Sequence, residues 1–147
     1  MTKEPIVADG ATMAPLQVFA ERITILADHD RTGSYEVYVH DAAEGAGPPP
    51  HFHVWDEAFY VIDGEIDFEV GGTSKRVKAG GFVHVPAGMV HAFRYASPTA
   101  RMLGITSGPG ATAMFADLDR ECGADIDVDK VVDVLKRHNA ELATQPG

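Results

Sequence analysis

The sequence predicts an all-β barrel or sandwich followed by two amphipathic helices, on three observations. Between residues 16 and 105, short segments of alternating polarity are separated by clusters of Gly, Pro, Asp and Ser. After Gly108-Pro109-Gly110 the apolar residues change to helical spacing. The chain has 147 residues, 45% of them hydrophobic, which suits a single core. We therefore expect one domain over residues 1–147, with a barrel core at about 16–106 and a helical segment at about 110–143.

Two segments show the strand pattern most clearly. In residues 35–40, Tyr35, Val37 and Val39 alternate with more polar neighbours, and residues 65–70 alternate in the same way. Such alternation gives a strand one buried and one solvent-facing side. Further strands are predicted at residues 16–19, 22–27, 51–54, 57–62, 74–78, 82–85, 92–96 and 101–105. About ten strands are enough to close a barrel.

Two helices are predicted after the strands. The first carries Met114, Phe115 and Leu118 on one side. The second places its apolar residues at i, i+3, i+4 and i+7, namely at Val128, Val131, Val132 and Leu135. It is expected to begin at Asp127 or Asp129 as N-cap and to end near Asn139. Helices in this position usually cover a barrel mouth or a dimer edge.

Charge and cysteine content exclude several classes of protein. Twenty-two acidic residues against twelve basic ones give a net charge of −10, which repels nucleic acid and anionic lipid surfaces. The single cysteine, Cys122, allows neither an internal disulfide nor a thiolate zinc site. No apolar run approaches the ~18 residues that a membrane span needs, and the first residues have no apolar signal region. We expect a cytoplasmic protein without nucleic-acid or membrane partners.

One segment carries metal-binding chemistry. His51 and His53 are two residues apart, so on a strand they share a face. Glu57 follows a predicted turn at Trp55-Asp56, and an antiparallel neighbour can bring its carboxylate back toward the two imidazoles. His91 opens a strand after a second turn and supplies a fourth donor. Imidazole and carboxylate together suit one divalent transition metal, namely Fe, Mn, Ni, Co, Cu or Zn.

The two histidine segments resemble the motifs of the cupin superfamily. The first motif is Gly, five residues, His-x-His, three or four residues, Glu, six residues, Gly; the matching residues are Gly45, His51, His53, Glu57 and Gly64. The second is Gly, five residues, Pro-x-Gly, two residues, His, three residues, Asn; the matching residues are Gly80, Pro86, Gly88 and His91. Tyr95 stands where this motif has Asn, and Gly81 stands where an acidic residue is frequent.

The wider resemblance, over about residues 30–140, is to single-domain bacterial quercetin dioxygenase-like cupins. It implies a double-stranded β-helix, or jelly-roll barrel, with C-terminal helices. It also implies a homodimer that holds one metal and acts as a quercetinase-type dioxygenase on an aromatic or enolisable oxygenated small molecule. Two alternatives keep the fold: a metal-dependent isomerase, cyclase or lyase, and a small-molecule-binding protein without catalysis.

The resemblance assigns roles to individual residues. Glu57 would bind the metal and accept the substrate proton. Five aromatic residues are expected around the substrate, namely Phe59, Phe93, Tyr38, Tyr60 and Trp55. Only Phe59 and Phe93 have the strand parity to face inward, and Trp55 is more often a packing residue or a dimer contact. His29, His40 and His138 are expected in solvent, and His84 on the outer face of its strand.

Overall fold

The computed structural model describes residues 4–143, and within them eleven strands and three α-helices. The strands are β1 (Leu16–Val18), β2 (Glu21–Ala27), β3 (Glu36–Ala43), β4 (His51–His53), β5 (Glu57–Asp63), β6 (Glu65–Val70), β7 (Thr73–Lys78), β8 (Phe82–Val85), β9 (His91–Tyr95), β10 (Thr99–Thr106) and β11 (Ala140–Leu142). The helices are α1 (His29–Thr32), α2 (Ala111–Glu121) and α3 (Val128–Arg137). Residues 1–3 and 144–147 of the predicted domain lie outside this part of the chain.

The strands form two antiparallel sheets. One has six strands in the order β1-β2-β3-β10-β5-β8, and the other has five in the order β11-β4-β9-β6-β7. Consecutive strands therefore alternate between sheets at several points, as β3 to β4 and β4 to β5 do. This crossing is the topology of a jelly-roll barrel and confirms the predicted all-β fold.

In strand β6 the residues predicted to be buried are buried, whereas in β3 the opposite face of the strand is buried. Ile66 and Phe68 are buried, as expected. On β3, however, the buried residues are Glu36, Tyr38 and His40, and the predicted apolar face is turned outward. The prediction of a solvated His40 is therefore wrong. Each of these three side chains forms at least one side-chain hydrogen bond, which offsets much of the usual cost of burying a polar group.

The two predicted helices are present and cover one end of the barrel. Asp127 caps α3 by accepting hydrogen bonds from the backbone N–H groups of Asp129 and Lys130. The apolar faces of both helices join one core cluster with β1. Glu36 fastens α2 to the barrel because its carboxylate accepts from both the backbone N–H and the hydroxyl of Thr112. No helix within residues 4–143 has the length and hydropathy to cross a bilayer.

The strand β11 was not predicted. The helical segment ends with α3, and residues 140–142 then pair antiparallel with β4. Ala140 lies opposite His53, and Leu142 lies opposite His51. Three residues are too few to show an alternating pattern, so the sequence contains no signal for this strand. The C-terminal segment thereby supports the strand that carries two of the expected metal ligands.

Acid should weaken the contact between α2 and the end of α3. His138 donates a hydrogen bond to Asp117 at 2.7 Å, and Arg120 donates a second one. The bond from His138 is the main cause that lowers the pKa of Asp117. A carboxyl whose pKa is lower in the folded than in the unfolded state stabilises the fold above the unfolded value, and this stability is lost as the pH falls through the folded value.

We therefore expect the melting temperature to fall less for Asp117→Asn than for the wild type between about pH 5 and about pH 3. The measurement is thermal unfolding by circular dichroism at both values. Asp125→Asn is the control because Asp125 is exposed and lies near the same helices. Equal losses for Asp117→Asn and the wild type would contradict the role of Asp117.

Candidate metal site and cavity

Three histidines converge where β4 meets β9. His51 and His53 share one face of β4, and His91 lies directly opposite His51 in the register of the two strands. Ligand nitrogens of the three residues all lie within 4.8 Å of one another. The ring of His91 is 4.2 Å from that of His51 and 4.8 Å from that of His53, measured between centroids. The geometry therefore lets the three imidazoles contact one ion.

Backbone carbonyls fix the orientation of all three rings. Each Nδ1 donates a hydrogen bond to a carbonyl oxygen two residues away, which leaves the Nε2 of the neutral ring unprotonated. The distances are 2.9 Å from His51 to Pro49, 3.0 Å from His53 to Trp55 and 2.9 Å from His91 to Met89. Such a bond on the other nitrogen is the usual support of a metal-binding histidine.

Glu57 at the start of β5 lies beside two of these rings. Its Oε1 is 3.1 Å from His53 Nε2 and 3.5 Å from His91 Nε2. The hydroxyl of Tyr38 donates to Oε2. Burial alone raises the pKa of Glu57, but the contacts with His53 and His91 outweigh it and lower the pKa well below its usual range. Glu57 is therefore a buried but ionised carboxylate.

The donor set fits a divalent cation. His91 Nε2 is buried and has no hydrogen-bond partner within residues 4–143. His53 Nε2 and Glu57 Oε1 are both acceptors when the ring is neutral with its proton on Nδ1, and they face each other at 3.1 Å, a contact that either a cation or a proton between them satisfies. Burial and the neighbouring His91 lower the pKa of His51 to about 4, so this ring is neutral and ready to bind a metal at pH 7. That all four residues bind one ion stays a prediction.

A cavity of about 200 Å³ opens from the three-histidine cluster into the barrel. His51, His53 and Glu57 line one part of it, and Phe59 and Phe93 line the wall, as their strand parity predicts. Apolar side chains of the two C-terminal helices complete it, among them Met114, Phe115, Leu118, Val131 and Leu135. A mostly apolar cavity with a few polar groups is the usual form of a small-molecule site.

The other three aromatic residues differ from their predicted positions. Tyr38 faces inward, so the parity argument is wrong for it; it contacts Glu57 and is not among the residues that line the cavity. Tyr60 is 46% exposed on the outer face of β5 and lies outside the cavity, because the inward residues of that strand are Glu57, Phe59 and Val61. Trp55 is buried, stacks on His53 with centroids 4.4 Å apart and lines the cavity.

The sequence reasoning missed a second polar group in the barrel. His40 Nδ1 lies 2.8 Å from Glu21 Oε2, and the hydroxyl of Tyr95 donates to the same oxygen at 2.8 Å. These three residues lie on β3, β2 and β9, so no local spacing connects them. The one available signal was Tyr95, the position at which the second motif departs from the family pattern.

Comparisons with known proteins agree with this architecture. The family model described as a cupin domain matches residues 38–105. The chain is 34% identical over 80 residues to an uncharacterized protein of Streptomyces coelicolor, an alignment that covers 54% of this chain and 74% of the relative. It is 28% identical over 82 residues to quercetin 2,3-dioxygenase of Bacillus subtilis, covering 55% of this chain but only 24% of that enzyme.

Among solved structures, a predicted oxalate decarboxylase of Thermotoga maritima superposes with a TM-score of 0.65 at 16% identity. The alignment covers 69% of this chain and 98% of that one, so the two barrels share a fold. The family match contains all four residues of the candidate metal site, and the alignment with the Streptomyces relative covers about three quarters of that protein. This chain belongs to the cupin superfamily.

Proposed function

We propose that this cupin is a metal-dependent dioxygenase of quercetinase type that acts on an aromatic or enolisable oxygenated small molecule. The observation that carries the proposal is the convergence of three imidazoles and Glu57 at an aromatic-walled cavity. The similarity to Bacillus subtilis quercetin 2,3-dioxygenase supports the same reaction class.

His51, His53, His91 and Glu57 would hold the ion, drawn from Fe, Mn, Ni, Co, Cu or Zn. A bound divalent ion supplies Lewis acidity, which lowers the pKa of a substrate hydroxyl and favours its anionic form beside O₂. Three neutral histidines and one carboxylate leave a net charge near +1 on such a centre, which attracts an anionic oxygen. The substrate therefore needs an enol, phenol or carboxylate oxygen.

The protein side chains position the substrate and its proton. Glu57 would receive the proton of the substrate hydroxyl; because its own pKa is lowered, this transfer requires that the metal also lower the pKa of that hydroxyl. Burial, followed by the charge of Glu57, raises the pKa of Tyr38 well above its usual value, so Tyr38 stays protonated and keeps donating to Oε2. Phe59 and Phe93 exclude water and contact a flat apolar framework.

The test is oxygen consumption by protein of known metal content. We expect metal-loaded protein to consume O₂ with quercetin or a related flavonol, and the chelated protein to consume none. Product formation under nitrogen would contradict the proposal and favour an isomerase, cyclase or lyase. A ligand-induced rise in melting temperature without any product would instead favour a non-catalytic binding protein.

The expected homodimer and the cytoplasmic location stay predictions. Exposed apolar residues on the outer face of the six-stranded sheet favour the dimer: Tyr60 on β5 lies opposite Phe82 on the edge strand β8, and Ile105 on β10 is also exposed. A second copy of the chain is the partner proposed for this face.

A further inference from the structure

The cavity contains a buried polar group that the proposed reaction does not use. His40 on β3 is 3% exposed and lines the cavity. It is not one of the three clustered histidines. Its neighbours on the cavity side are aromatic: the ring centroids of Phe59, Phe93 and Phe115 lie 5.8, 5.8 and 5.9 Å from that of His40.

Glu21 determines which nitrogen of His40 carries the proton. An ionised carboxylate can only accept hydrogen bonds, so the His40 Nδ1 that lies 2.8 Å from Glu21 Oε2 is the protonated nitrogen. Tyr95 donates to the same oxygen. Burial and the charge of Glu21 raise the pKa of Tyr95 far above its usual value, so its proton stays in this bond. In the neutral ring, His40 Nε2 is then an unprotonated acceptor.

That acceptor has no partner within the described residues. His40 Nε2 is buried and without a hydrogen bond, whereas nearly all buried polar atoms in proteins have a partner. The surrounding phenyl rings offer no O–H or N–H group, and the hydroxyl of Tyr38 is already bonded to Glu57. His40 lines the cavity, and a small shift of the surrounding phenyl rings would bring its Nε2 within reach of a hydroxyl of the molecule inside.

Burying His40 together with the residues that orient it costs free energy, which argues that His40 does more than fill space in the core. Glu21 is hydrogen-bonded to the ring and Tyr95 is hydrogen-bonded to Glu21, and both residues are buried. An apolar residue at position 40 would pack against the same aromatic rings without leaving an unpaired nitrogen. Tyr95, one of these two, replaces the Asn of the second cupin motif. A departure from the family pattern therefore provides part of the support for His40.

We propose that His40 is a substrate-binding residue whose Nε2 accepts a hydrogen bond from a hydroxyl of the cavity's occupant. The inference rests on the proposed function, because it places another oxygen of the same molecule at the three-histidine cluster. It defines the substrate class as a largely aromatic molecule with two separate oxygen functions, one of them a free hydroxyl. Glu21 and Tyr95 are positioning residues that hold the imidazole.

The test compares diols with their monomethyl ethers. Dihydroxybenzenes and dihydroxynaphthalenes with different hydroxyl spacings are titrated calorimetrically into Zn²⁺-loaded protein, each beside its monomethyl ether. One hydroxyl can occupy the metal centre in both compounds, but only the diol has a second one for His40. We expect at least one diol to bind the wild type roughly tenfold more tightly than its ether.

Three variants isolate the contribution of His40. His40→Asn keeps an N–H group near the Nδ1 position for Glu21 but has no atom at the Nε2 position, so the diol preference should disappear. His40→Gln can return an acceptor oxygen toward that position and should recover part of the preference. His84→Asn is the matched control, since His84 is exposed on β8, and it should keep the preference. Zinc stoichiometry and melting temperature of each variant report on its fold.

A measurement on the wild type keeps the test independent of variant folding. The ¹⁵N resonance of His40 Nε2 should move on addition of the preferred diol and stay in place with its ether. The proposal is overturned if no diol is preferred by the wild type, if His40→Asn keeps the preference, or if the resonance does not move. A His40-dependent preference without O₂ uptake would remove the dioxygenase function and leave this contact standing.

Discussion

His91→Ala should weaken binding of Co²⁺ or Zn²⁺ by at least about 100-fold. Loss of a residue that merely orients a ligand commonly costs 10- to 100-fold in metal affinity, and loss of the ligand itself should cost no less. His91 is the only contribution of β9 to the three-histidine cluster and faces His51 across the strand pair. Its removal therefore leaves two imidazoles on β4 and the carboxylate of Glu57.

The measurement is calorimetric titration with Co²⁺, repeated in competition with a chelator of known affinity. His84→Ala is the control because His84 is exposed on β8, away from the cluster. Thermal unfolding of the metal-free variant reports on its fold, because the substitution also removes a buried ring and the hydrogen bond from His91 Nδ1 to Met89. An unchanged Co²⁺ affinity in His91→Ala would disprove the metal site.

Gly47→Ala should destabilise the fold by about 3 kcal/mol or more. A Cβ at this position would lie 1.9 Å from the carbonyl oxygen of Phe93, and backbone cannot yield as a flexible side chain can. The φ angle of +140° adds strain for any other residue. Phe93 lies two residues after His91 on β9, so the displaced backbone would also disturb the metal site.

Thermal unfolding checks this prediction, with an expected fall in melting temperature of about 10 °C. Gly45→Ala is a matched control two residues away: its φ is also positive, at +90°, but no atom lies within 4 Å of the added Cβ. It should therefore show only the cost of backbone strain, about 1–2 kcal/mol. Equal losses in the two variants would show that contact with Phe93 is unimportant.

The two glycines show a limit of motif reading. The first cupin motif singles out Gly45, where an added Cβ would meet no atom within 4 Å and only the φ angle of +90° favours glycine. Gly47 lies outside the motif pattern but packs against the backbone of β9. A motif records positions along the chain, whereas this contact depends on how closely two segments approach in space.

The β3 strand shows a similar limit. The alternation of polar and apolar residues correctly located the strand but assigned the wrong face to the interior. Such a pattern predicts that the apolar face is buried, and the prediction fails where the polar residues find hydrogen-bond partners inside the protein. The partners of Glu36, Tyr38 and His40 are Thr112, Glu57 and Glu21, which lie on other elements. Side chains distant in sequence therefore decided the orientation of this strand.

Local patterns in the sequence suffice to predict the strand-rich barrel, the two following helices and the residues of the candidate metal site. Alternation, helical spacing and the His-x-His motif are all read within a few residues. Three features become visible only in the folded chain: the pairing of β11 with β4, the close approach at Gly47, and the hydrogen-bonded group of Glu21, His40 and Tyr95. These depend on long-range packing and hydrogen bonds between strands, which no local pattern in a single sequence contains.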